Sequence, residues 1–148
     1  MQRAGLLIGI GFFLIVGGLL ATARWLHLNT EQVLIINGAP LLVERATTPA
    51  EQARGLARRW CRLSDEEGMY FVYPELNQPT FWMKDMHFSI DILWLANGEV
   101  VGVEQHVQPD GGDKRYQPVQ LVDRVLEVRA GWISRHHIEI GTRVEELP

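Results

Sequence analysis

Hydrophobic and polar positions divide the chain into two unequal parts. Residues 4 to 23, from Ala4 to Ala23, carry no charge, and a run of that kind matches the ~20 residues that cross a bilayer as a helix. It ends in Ala21-Thr22-Ala23, the small-residue pattern at which a secretory signal is cleaved. Residues 1–24 are therefore expected to be a signal anchor or a signal peptide, and residues 25–31 a linker. Arg3 and the terminal amine face Arg24 and His27 across the run, and the positive-inside rule sends the C-terminal part outward. The expected location is the cytoplasmic (inner) membrane, single-pass, with the C-terminal domain on the periplasmic or extracytoplasmic side. If the chain is cleaved after Ala23, that domain is an exported soluble protein.

From residue 32 to 148 the pattern changes to short apolar runs separated by turn residues, which predicts one β-rich domain. Gln32 to Ile36 and Leu41 to Ala46 flank Asn37-Gly38, a two-residue hairpin signal. Thr48-Pro49-Ala50-Glu51 predicts a helix start, with Thr48 as N-cap, Pro49 in the first turn and Glu51 completing a capping box; the helix is expected to run to about Arg59. Strands are predicted at Gly68 to Tyr73, Thr80 to Met83, Ile90 to Ala96 and Glu99 to Glu104, the last two around a second Asn97-Gly98 turn. Gln108 to Pro118 is a long loop, Val119 to Arg129 a strand, Gly131 to His137 a helical turn, and Ile138 to Glu146 a closing strand. The expected fold is mainly β (α+β), a compact β-barrel or sandwich-like domain with one short helix, preceded by the N-terminal transmembrane or signal helix.

Charge narrows the function classes. From Glu31 onward 12 Lys and Arg stand against 18 Asp and Glu, a formal charge of −6, which argues against nucleic acid as a partner. Cys61 is the single cysteine, so no intramolecular disulfide can form; it is expected to be at least half buried. The segment from Trp82 to Asp91 is the most polar stretch in an apolar region. Asp85, His87, Ser89 and Asp91 on one strand would project in parallel and would not converge as a hydrolytic triad must. Asp85, His87 and Asp91 could serve as metal ligands if Glu104, His106 or Asp110 came near, a convergence that spacing alone does not show, and Asp110 with Asp113 around Gly111-Gly112 lack the spacing of an EF-hand calcium loop; no metal and no cofactor is expected. Aromatic residues with a few polar groups among them suit a small-ligand site. The expected binding set is Lys84, Asp85 and Asp91 as floor, Trp82 and Tyr116 as walls, and the Gln108 to Pro118 loop as cover. Arg54, beside a mid-helix Gly55 that suggests close packing, is expected to pair structurally with a buried carboxylate such as Glu127 or Asp91.

Several local blocks carry a family resemblance: Arg54-Gly55-Leu56 with Arg58, Gly68-Met69-Tyr70-Phe71, Phe81-Trp82-Met83-Lys84-Asp85, Asp91-Ile92, and Val125-Leu126-Glu127-Val128 with Ala130-Gly131. Together, over roughly residues 32 to 147, they resemble the family called domain of unknown function 192. The resemblance implies a small β-rich domain, often exported behind a signal or anchor, with no established reaction or ligand. The chain departs from the family pattern at Ala57 where Met is common, at Asp85-Met86 where Asn-Thr is usual, and at Ser89 where Pro is frequent. Three functions remain open at this level. The first is a non-catalytic, envelope-exposed binding module for a glycan or other small polar ligand. The second is an accessory or assembly subunit of an integral-membrane protein complex, held by the N-terminal helix, whose Gly5, Gly9, Gly17 and Gly18 permit close helix packing. The third is an enzyme of unknown reaction.

Overall fold

A computed structural model of the chain describes residues 31 to 147. The expected anchor or signal and nearly all of the linker lie outside the described residues. The chain runs β1 (Glu31–Ile36), β2 (Ala39–Ala46), α1 (Pro49–Arg54), β3 (Glu67–Asn77), β4 (Ile90–Ala96), β5 (Glu99–Val107), β6 (Val122–Arg129), α2 (Trp132–Arg135) and β7 (Val144–Glu146). The mainly β reading holds, and the strands form one sheet in the order β5-β4-β6-β3-β2-β1-β7.

Both Asn-Gly turns are where the sequence puts them. Asn37 and Asn97 sit at φ 50° and 53°, followed by Gly38 at 79° and Gly98 at 77°, the paired positive φ values of a type I′ hairpin. β2 and β3 run parallel, with Ala46 beside Phe71, while β3–β6, β6–β4, β4–β5 and β1–β7 are antiparallel. The sheet curls into a half-barrel. Its two edges come together where Val100 N–H donates to Thr142 O, Gly141 N–H to Val100 O and Val144 N–H to Gly98 O.

Alternation along the central strands buries both faces of the sheet. Leu93, Leu95, Leu126, Val128 and Tyr70 point inside the curl, where Trp132 and Ile133 of α2 close the core. Ile92, Trp94, Val125, Met69 and Phe71 point outward and are covered by Leu56, Leu63, Met83 and Tyr116. The near-continuous apolar sequence of β4 follows from this double burial.

Several boundaries differ from the expectation: β3 runs on through Pro74 to Asn77 and β5 runs on to Val107. The first helix stops at Arg54, because Gly55 takes φ 49° and caps it by donating its N–H to Glu51 O. Thr80 to Met83 is not a strand: Phe81 alone bridges Tyr116 through two 2.9 Å backbone hydrogen bonds. β6 begins at Val122, after a Pro118-containing approach, and the closing strand is confined to Val144–Glu146 because the turn at Gly141 (φ 92°) occupies the preceding residues. A second short helix, α2, stands where a helical turn is expected.

Candidate functional site

The outer face of the sheet carries a cleft of about 220 Å³ between α1, the turn that follows it, the end of β3 and the segment from Thr80 to Met86. α1 is fixed there by local chemistry. The Thr48 hydroxyl accepts from Glu51 N–H, and the Glu51 carboxylate accepts from the Thr48 and Thr47 N–H groups, which is the capping box in full. Those bonds hold the Glu51 pKa down at about 2. Gln52 Nε2 donates to Ala46 O and Val72 O and so pins the helix to β2 and β3. Gly55 passes over the Phe71 ring, where a Cβ would make an ordinary contact at 3.4 Å; it ends the helix at φ 49° and is not the closely packed mid-helix glycine expected.

Glu127 lies at the bottom of the cleft. It stands on β6 between Met69 of β3 and Ile92 of β4, and alternation puts it on the outer face with Val125. It is 6% exposed, and its Oε2 is buried without a hydrogen-bond partner. Burial raises its pKa from 4.5 to about 8, against a smaller lowering effect of Arg59, so the carboxyl is protonated at neutral pH. Phe71, Tyr73, Phe81 and Trp82 supply aromatic surface around it. The Tyr73 pKa is pushed up to about 12, first by burial and then by the charge of Glu127. A neutral acid in such a place is both a hydrogen-bond donor and an acceptor.

Two residues of the expected binding set reach this cleft. Trp82 and Lys84 line it, and Trp82 is half exposed. The 108–118 loop does pack on them. Arg115 lies 5.1 Å from the Trp82 ring centroid, and Gly112 (φ 88°) runs so close to Lys84 that a Cβ would sit 2.7 Å from the Lys84 Cβ. The other three expected residues do other work. Asp85 occupies the left-handed region at φ 58°, a conformation that Asp and Asn tolerate better than most residues. Its backbone carbonyl accepts from Arg58 N–H at 2.8 Å, and its carboxylate lies 3.6 Å from Arg58 Nε. Asp91 is fully buried on the opposite face of the sheet, accepting from His106 N–H at 2.8 Å and Ile133 N–H at 3.1 Å. It ties β5 and α2 to β4 and is not a floor residue of the cleft. Tyr116 is buried beneath Lys114 and supports Phe81 from behind.

Arg54 lines the same cleft as Glu127, but its guanidinium pairs with Glu44 at 3.7 Å. Arg59 pairs with Glu44 as well. The expected Arg54–Glu127 pair is thus replaced by a shared Glu44, a partly buried residue of β2. Cys61 is exposed, contrary to expectation, because the turn after α1 leads it away from the sheet. Among the described residues no three His, Cys, Asp or Glu side chains gather as metal ligands would.

Comparison with known proteins agrees with this architecture. The profile of DUF192, described as "Uncharacterized ACR", matches residues 32–146. The chain belongs to the DUF192 family. Two solved structures share the DUF192 domain's fold. One, provisionally described as a transcription regulator from Sinorhizobium meliloti 1021, is 27% identical, with a TM-score of 0.72, over 78% of this chain and 92% of its own. The other, a protein of unknown function from Novosphingobium aromaticivorans DSM 12444, is 29% identical, with a TM-score of 0.69, over 78% and 83%. No functionally curated protein matches.

Glu127 is the cleft residue that sequence reasoning placed as structural. Its burial fits the apolar run Val125-Leu126-Glu127-Val128 of a strand covered on both faces. Its ligand-facing position was not legible in the sequence, because the cleft walls come from residues 52 to 86.

Proposed function

We propose that this DUF192 domain is a non-catalytic binding module for a small polar ligand, held outside the cytoplasmic membrane by the apolar run at residues 4 to 23 or released there by cleavage after Ala23. The observation that carries the reading is the unpartnered Glu127 carboxyl at the base of an aromatic cleft. A buried polar group left without a partner costs ~1–3 kcal/mol, and a ligand hydroxyl or amide recovers that cost on binding. The volume, below the ~300 Å³ at which drug-sized sites begin, suits one ring or the end of a chain, as in a glycan. Catalysis would need a second reacting group positioned against Glu127, and Glu127 Oε2 has no hydrogen bond to Arg54, Lys84 or Tyr73, the cleft's other ionisable side chains.

The reading is tested on the full chain in mild detergent, with 13C-labelled glutamate. A panel of neutral, acidic and basic monosaccharides, polyols and amino acids is titrated while the Glu127 carboxyl signal, assigned by its loss in Glu127→Gln, is followed. At least one panel member is expected to move that signal saturably. A signal that no member moves overturns the reading.

An accessory-subunit role rests on a different observation. Leu76, Val119 and Leu121 are exposed and lie together at the end of the β3–β6 pair, where Asn77 pairs with Val122 and Gln78 Nε2 donates to Pro118 O. A stable partner co-purifying with the native chain, and lost on Leu121→Glu, would favour that role.

A further inference from the structure

The acidic and basic side chains lining the cleft are Glu127, whose carboxyl is neutral, and the cations Arg54 and Lys84. Their balance inverts that of the domain, where acidic side chains outnumber basic ones by 18 to 12. Arg54 shares Glu44 with Arg59, whereas no ion pair engages Lys84 among the described residues. Lys84 is also held at its root, because Gly112 packs against its Cα and Cβ and leaves room for no side chain between them. The cleft therefore has an apolar wall, a hydrogen-bonding carboxyl at its base and an unneutralised cation at its rim. Lysine serves such a position as a point charge for an anionic group.

We infer that the ligand is a small hydroxylated ring bearing one carboxylate, an acidic monosaccharide unit, with its ring against Phe81 and Trp82, a hydroxyl on Glu127 and its carboxylate at Lys84. This rests on the binding reading above and assigns the ligand class within it. The aromatic rings take the C–H face of the sugar. Glu127 supplies a donor and an acceptor to a hydroxyl. Lys84 discriminates acidic from neutral and basic sugars, and Arg54 adds to the field at the same rim.

The test is calorimetric titration of the full chain in detergent with glucuronate, glucose and glucosamine. Glucuronate is expected to bind at least about fivefold more tightly than glucose, the worth of a largely exposed ion pair near 1 kcal/mol, and glucosamine more weakly than glucose. Lys84→Gln should close the gap between glucuronate and glucose, and Lys84→Arg should keep it. Equal affinity of glucose and glucuronate would overturn the assignment of an acidic ligand while leaving a sugar-binding cleft in place. A gap that survives in Lys84→Gln would overturn the placement of the carboxylate at Lys84. Failure of all three sugars overturns the inference; if the Glu127 signal still responds to another panel member, the cleft remains a binding site for a different class, and if it responds to none, both readings fall.

Discussion

Glu127→Gln replaces the buried carboxyl with an amide of nearly the same shape that does not titrate. In the unfolded chain the Glu127 carboxyl has its ordinary pKa of 4.5, whereas in the native fold burial raises it to about 8. Below pH 4.5 both states hold the proton, and the group makes stability independent of pH. Between 4.5 and 8 the unfolded chain has lost the proton and the native fold retains it. The unfolded state then binds fewer protons, so stability falls as pH rises, by ~1.4 kcal/mol per unit. From pH 5 to pH 7 the loss is about 3 kcal/mol, and above pH 8 it levels off. Other titrating groups are common to both proteins and cancel in the difference. Urea unfolding of the wild type and of Glu127→Gln across pH 5 to 9 should therefore give a stability gap that moves in favour of the variant by roughly 3 kcal/mol between pH 5 and 7. Whatever constant offset the amide's own burial imposes does not change with pH. Parallel curves would refute the argument, because they would mean that Glu127 ionises alike in the folded and unfolded chain.

Two further substitutions probe the surroundings. Asp91→Ala removes the acceptor for the His106 and Ile133 N–H groups and should cost on the order of 3 kcal/mol in chemical unfolding; Asp91→Asn, which keeps one acceptor oxygen, should cost clearly less, and an unchanged midpoint for Asp91→Ala would contradict the structural role. Gly112→Ala places a Cβ 2.7 Å from Lys84 Cβ at φ 88° and should destabilise by more than about 1 kcal/mol, with faster amide hydrogen exchange in residues 108–118 as the local sign.

What could be read from the chain depended on how far apart the interacting residues lie. The hairpin turns at Asn37-Gly38 and Asn97-Gly98 and the Thr48–Glu51 capping box are written within four residues, and each is present. The helix end at Arg54 is not legible, because nothing local shows that Gly55 turns across Phe71. Thr80 to Met83 has strand-like composition, but its bridging partner, Tyr116, is distant in sequence and leaves it a single pair. Asp91 illustrates a more general ambiguity. A carboxylate in an apolar run marks either a site or a buried structural acceptor, and only the N–H groups of His106 and Ile133, brought in by β5 and α2, decide it. Trp82 and Lys84 were found because their block is compact. Glu127 reaches them only once β6 is inserted between β3 and β4.

The pairing of Leu34 with Glu146 and Ile36 with Val144 joins the first strand of the domain to its last. As the chain emerges, β1 can form its hairpin with β2 at once, but its other edge has no strand to bind until β7 arrives. Insertion of β6 between β3 and β4, and the parallel contact of β2 with β3, likewise bring together residues distant along the chain. Contacts of such long sequence separation slow folding towards the millisecond-to-second range. An unpaired β1 edge would meanwhile be open to other strands, so the nascent domain is at its most aggregation-prone just before its last three-residue strand arrives.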